Sequence, residues 1–177
     1  MSGKSGLAPR DPLLALVRLI LGIAMVGAVV SAVAFALAVP VVLVWHERTI
    51  AWVVGQGAPP ETIWALAVIP ALTAVIAILG FYFMRHLYRL IGTVGQGDPF
   101  VPDNALRLRS MGWISVAVHV VAIPVSALAK LTQSVTHDMH FQVDLPLSGL
   151  FLALILFILA RVFREGTRMR EDLEGTV

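Results

Sequence analysis

The chain has 177 residues, 58% hydrophobic and 14% charged, with a net charge of +2 and a mean hydropathy of +0.87. Soluble domains are about 45–50% apolar and about 25% charged, so this composition predicts a single integral membrane domain. The absence of cysteine excludes disulfides, thiolate catalysis and Cys-ligated metal centres. So small a charge excess, placed beside apolar runs, points to membrane topology and not to direct nucleic-acid binding.

Residues 1–12 are rich in Gly, Ser and Pro and read as a short disordered cytoplasmic arm. A four-span membrane domain is expected over 13–163, with spans at about 13–45, 61–88, 104–131 and 143–163. From Leu19 to Trp45 no residue is charged. That run exceeds the ~20 residues needed to cross and the core of a signal peptide, which predicts an uncleaved helix. Pro40 is expected to kink or end it. Ala24, Ala28, Ala32 and Ala36 recur every fourth residue and form a small-residue stripe. In lipid, such stripes let helices approach closely, either against another span of the same chain or as a homo-oligomer seam.

Ile50–Val54 is too short to span and is expected at the outer interface. Thr62–Met84 carries no charge and makes the second span. The third runs from Ser110 to Ala129 and contains His119 and Pro124, which are expected to interrupt it. A lone His in a span is a functional candidate, or is satisfied by Ser or backbone. The uncharged Leu145–Ala160 is 16 residues, about 24 Å of helix, and needs flanking residues to cross a ~30 Å core.

Orientation follows from Lys and Arg. One side holds Lys4, Arg10, Arg18, Arg85, Arg89, Arg107, Arg109, Arg161, Arg164, Arg168 and Arg170; the other holds Arg48 and Lys130. The positive-inside rule then places both termini and the central loop in the cytoplasm, in a bacterial inner-membrane protein. Trp45, Trp52 and Trp64 mark the outer boundary and Trp113 the inner one, as aromatic belts do.

Two cytoplasmic stretches carry the most specific patterns. In the central loop, Gly95, Gly97 and Pro99 break the helix. Pro102 then sits at a first helical position with Asp103 in the first turn, and Val101 before it offers no cap, so that start is expected to fray or to be capped by water. The Gly-x-Gly lacks the strand–turn–helix setting of a phosphate loop. The tail, 164–177, continues the last helix. Arg161–Glu165, Arg168–Asp172 and Arg170–Glu174 are spaced for i,i+4 pairs worth about 0.2–0.5 kcal/mol each.

Gly97-Asp98-Pro99-Phe100-Val101-Pro102-Asp103-Asn104, followed by Arg107-Leu108-Arg109 and Gly112-Trp113, resembles the loop of a family of small bacterial membrane proteins, domain of unknown function 2975. The ending, Phe163-Arg164-Glu165-Gly166 through Glu171-Asp172-Leu173-Glu174-Gly175-Thr176-Val177, is similar to that family's tail. The resemblance runs from the first span to the last residue. It implies an all-α four-helix transmembrane bundle with no established activity. It also suggests a regulatory partnership, because such genes often neighbour a helix-turn-helix regulator.

The leading expectation is a non-catalytic regulatory module in the lipid bilayer, without a cofactor. Its docking face would comprise Asp98, Pro99, Phe100, Arg107 and Arg109 of the loop with Glu165, Glu171 and Asp172 of the tail. Arg107 and Arg109 are expected to attract the acidic tail residues. The alternative is an outer-face metal or pH sensor, or a small transporter subunit, using His46, His137 and His140. Those histidines lack the spacing of a zinc signature.

Overall fold

A computed structural model of the chain describes residues 12–132 and 147–174. They form five helices: α1 (Pro12–Val44), α2 (His46–Gly55), α3 (Thr62–Val94), α4 (Pro102–Leu131) and α5 (Ser148–Glu174). No strand occurs among the described residues. In a bilayer the backbone must satisfy its own hydrogen bonds, and helices do so within one segment. α1, α3 and α4 are each long and apolar enough to cross. α1 and α3 have 33 residues apiece, about 50 Å, so both extend beyond a ~30 Å hydrocarbon core.

Pro40, Pro70 and Pro124 all lie inside helices. Pro40 therefore does not end the first helix: α1 continues through it to Val44. Nor do His119 and Pro124 interrupt α4. Transmembrane helices tolerate proline where nearby hydroxyls supply bonds. Near these prolines Thr73 donates to the Ile69 carbonyl at 2.8 Å and Ser126 to that of Ala122 at 3.1 Å; the carbonyls that the prolines leave without an i+4 donor are those of Leu66 and Val120.

The same tripeptide, Gly-Gln-Gly, ends two helices in the same way. Gly57 and Gly97 have φ of 79° and 82°, a left-handed conformation that glycine adopts without a Cβ clash. After α3, Gly97 N–H donates to Val94 O at 3.0 Å and Asp98 N–H to Thr93 O at 3.1 Å. After α2, Gly57 donates to Val54 O at 2.9 Å and Ala58 to Val53 O at 3.2 Å. Both are Schellman caps, and the second adds the apolar contact of buried Val53 with Ala58.

The long helices pack antiparallel and in series: α1 on α3, α3 on α4, α4 on α5. α1 meets neither α4 nor α5, so the described helices form an open row and not a closed bundle. Hydrophobicity does not drive closure when the solvent is lipid; packing and hydrogen bonds decide which faces meet. Leu108 and Met111 of α4 and Leu156 and Ala160 of α5 form a buried cluster, joined by Phe83, Leu87 and Leu90 of α3 and Phe163 of α5. In α1 only Leu21 is buried. Ala28, Ala32 and Ala36 border the groove that α1 makes with Ile78, Phe81 and Tyr82 of α3, so the small-residue stripe adjoins an intrachain seam.

Glycines set the α4–α5 spacing. A Cβ on Gly112 would stand 2.8 Å from Cε1 of Phe157, and one on Gly149 would stand 1.8 Å from Cε1 of His119. His119 Nδ1 lies 2.9 Å from the Ser115 carbonyl, the backbone satisfaction that a lone intramembrane His requires. Gly112→Ala should therefore lower stability by about 1–3 kcal/mol through overpacking. Gly80→Ala, where a Cβ meets nothing within 4 Å, should be neutral or slightly stabilising. Thermal unfolding of the two purified variants in detergent checks the contrast.

Candidate functional site: the loop and tail at the arginine-rich end

The antiparallel register gathers one end of every long helix. Arg18 meets Gly92, Arg107 meets Arg89, and Thr167 meets Phe100. Arg18, Arg85, Arg89, Arg107, Arg109, Arg161, Arg164, Arg168 and Arg170 thus share this end, while Arg48 on α2 and Lys130 in the last turn of α4 lie at the other.

Asn104 organises the turn between α3 and α4. It is fully buried. Its Nδ2 donates to Thr93 Oγ1 at 2.7 Å and to Pro99 O at 2.8 Å, and its Oδ1 accepts from Arg107 Nη1 at 2.9 Å. Thr93 in turn donates to Leu90 O at 2.7 Å. One amide therefore ties the end of α3, the loop and the first turns of α4. Val101 supplies no side-chain cap, but Pro102 at the first position has no N–H to satisfy. Asn104 N–H reaches Val101 O at 2.9 Å, a backbone bond in the first turn of α4. The sequence alone marks Asn104 only as a first-turn polar residue. The signal it offers is a polar amide beside Ala105 in a segment about to pack.

The tail closes over the loop. Thr167, itself buried, has its one hydroxyl proton within reach of two carbonyls, Phe100 O at 3.1 Å and Phe163 O at 2.9 Å. The rings of Phe100 and Phe163 lie 5.4 Å apart. Gly166 admits the Phe100 ring, since a Cβ there would come within 2.7 Å of Cδ1. Arg170 forms a salt bridge with Asp98.

The loop and tail thus do meet, with charges paired differently from expectation. Asp98 supplies the anion and Arg170 the cation. Arg107 reaches Asp103 at 3.1 Å and Asn104 on its own helix, and the Arg89 carbonyl of α3. Arg109 is exposed on α4, and Glu165, Glu171 and Asp172 are exposed on α5. Pro99 is half-buried under the Asn104 amide. The Asp98–Arg170 pair is largely solvated, and such pairs are worth about 0–1 kcal/mol. The Thr167 bond, at about 0.5–1.5 kcal/mol, and the Phe100–Phe163 contact matter at least as much.

At the opposite end His46 is partly buried in the first turn of α2. His137 and His140 lie outside the described residues. Among the described residues no group of three His, Asp or Glu is placed to share a metal ion.

These features define an all-helical, multi-pass membrane protein. A family model matches residues 56–177, and the chain belongs to that family, Protein of unknown function (DUF2975). The match covers α3, α4, α5 and both arginine-rich motifs; α1 and α2 precede it. No curated protein and no solved structure matches the chain.

Replacing Asn104 by Ala strands the Pro99 carbonyl, Thr93 and Arg107 in a buried site, a loss of about 1–3 kcal/mol. Asp103→Ala removes only an exposed partner and should cost about 0–1 kcal/mol. Limited proteolysis of residues 95–101 checks this: cleavage should accelerate in the first variant and stay unchanged in the second.

Proposed function

We propose that the protein is a four-span, non-catalytic module of the bacterial inner membrane, with both termini and the central loop in the cytoplasm, whose joined loop and tail dock a cytoplasmic regulatory protein. The observation carrying this reading is the joint itself. Thr167 and Arg170 of the tail engage Phe100 and Asp98 of the loop, so two segments distant in sequence present one surface. Arg109, Arg164, Glu165, Arg168, Glu171 and Asp172 are exposed around it, a mixed-charge rim of the kind that steers and selects a protein partner. A helix-turn-helix regulator is the partner class that the family resemblance suggests. The polar groups inside the joint are engaged with backbone or with one another, which supports an interaction role over a reacting one.

In this reading α5 supplies the fourth span. The collection of arginines at one end supports the orientation, because short loops rich in Lys and Arg stay inside. Reporter fusions after Thr93 and at the C-terminus should report cytoplasm, and a fusion after Gly57 should report the outside. A cytoplasmic Gly57 overturns the topology.

Removing 168–177 takes away Arg170 and the end of α5 but leaves the helix seams. The truncated protein should insert and fold, yet lose the partner that crosslinks to and co-purifies with the full chain. Recovery of the same protein by both forms, or of none by either, refutes the docking role.

A further inference from the structure

Arg18 is the single charged residue of α1, and the α1–α3 register fixes its depth. Its Nη2 donates to Gly92 O at 3.3 Å. On α3 the first charge after the uncharged span is Arg85; Gly92 lies about two turns beyond it, or about 10 Å. Arg18 therefore sits at headgroup level. Its guanidinium lies against Gly92 and Gly95, where a Cβ would stand 3.6 and 3.4 Å from Nη2, an ordinary contact distance. Its Nε is buried and lacks a hydrogen-bond partner, and among the described residues it forms no salt bridge. A guanidinium presents donors in a fork that suits phosphate, and Arg18 lines an open groove without a carboxylate partner among the described residues; the buried Nε is not among the atoms a ligand there would reach.

A groove of about 620 Å³ runs from Arg18 along α1, lined by Leu19, Gly22, Ile23 and Val26 with Tyr88 of α3. Leu19 and Ile23 are exposed there, although the register places them between headgroup level and the start of the hydrocarbon. Along the groove the order is cation, then phenol, then aliphatic wall, running inward. This is the polarity order of an anionic phospholipid: phosphate, glycerol backbone, acyl chain. A helix from another chain would match the wall but would leave the guanidinium without an anion.

We propose that this groove holds one anionic phospholipid of the cytoplasmic leaflet, its phosphate on Arg18 and the upper part of one chain along Gly22 and Val26. The site lies on α1, apart from the loop–tail joint, and does not depend on the docking role.

Native mass spectrometry of the detergent-purified full chain tests it, with phosphatidylglycerol and phosphatidylcholine of identical chains as probes. The wild-type protein should retain phosphatidylglycerol in preference. Arg18→Gln should weaken that retention about tenfold, the loss of a charge-assisted bond, without changing the zwitterionic lipid. Gly22→Leu fills the groove, since no atom lies within 4 Å of its Cβ; it should reduce retention with the guanidinium intact, and so tests the site even if the Arg18 variant misfolds. Arg109→Gln, on a helix that does not touch α1, should match the wild type. Equal retention of the two lipids overturns the proposal, as does indifference to Gly22→Leu. Full displacement by glycerol 3-phosphate, showing that the groove adds nothing, or a lipid-free dimer through this face would also overturn it.

Discussion

The buried side chain of Asn104 is the interaction on which the rest of the arrangement depends. A buried amide is costly unless its donors and acceptors are matched. Here they are matched by three different parts of the chain: Thr93 at the end of α3, Pro99 in the loop and Arg107 in α4. That requirement admits one relative position of α3 and α4. Once it is set, Leu108 and Met111 face α5, and the loop is held where Thr167 can reach the Phe100 carbonyl.

Apolarity cannot by itself choose partners for these helices, because lipid solvates Leu and Val as well as another helix does. The choice falls to shape. Where α5 approaches α4 or the loop, a glycine accepts a ring: Gly112 receives Phe157, Gly149 receives His119, and Gly166 receives Phe100. Glycine inside a helix costs about 1 kcal/mol against alanine, and each of these contacts offsets that cost with ring packing. α1 has a different character. It meets α3 through a register in which Arg18 lies over Gly92 and Gly95, and most of its remaining surface is left to the surrounding solvent.

At the arginine-rich end, charge is concentrated yet contributes little to local cohesion. The Asp98–Arg170 pair is largely solvated. The Asp103–Arg107 pair stays within one helix, and its carboxylate is mostly exposed. The cohesion of the joint comes from a buried hydroxyl, two phenyl rings and a missing Cβ. Packing within a few ångströms, more than the pairing of charges, therefore holds this end together.

The all-helical class, the long uncharged spans and the helix break at Gly95, Gly97 and Pro99 were legible from sequence, because each rests on local chemistry. Charge is excluded from hydrocarbon, and the left-handed turn that stops a helix favours a residue without a Cβ. Belonging to the family was legible too, in the stretch Gly97–Asn104 and in the tail from Phe163, and the match over 56–177 bears it out. What remained undetermined depended on neighbours distant in the chain. Arg107 was free to meet the acidic tail until the buried Asn104 drew it inward. Arg170, spaced to pair with Glu174, reaches Asp98 across the joint. The sequence by itself determined which long segments become helices and which end of each carries charge, while His46–Gly55, read as part of an outer loop, proved to be the short helix α2. Only the tertiary structure decided which faces meet, because in lipid that choice depends on the fit of particular rings, glycines and buried amides.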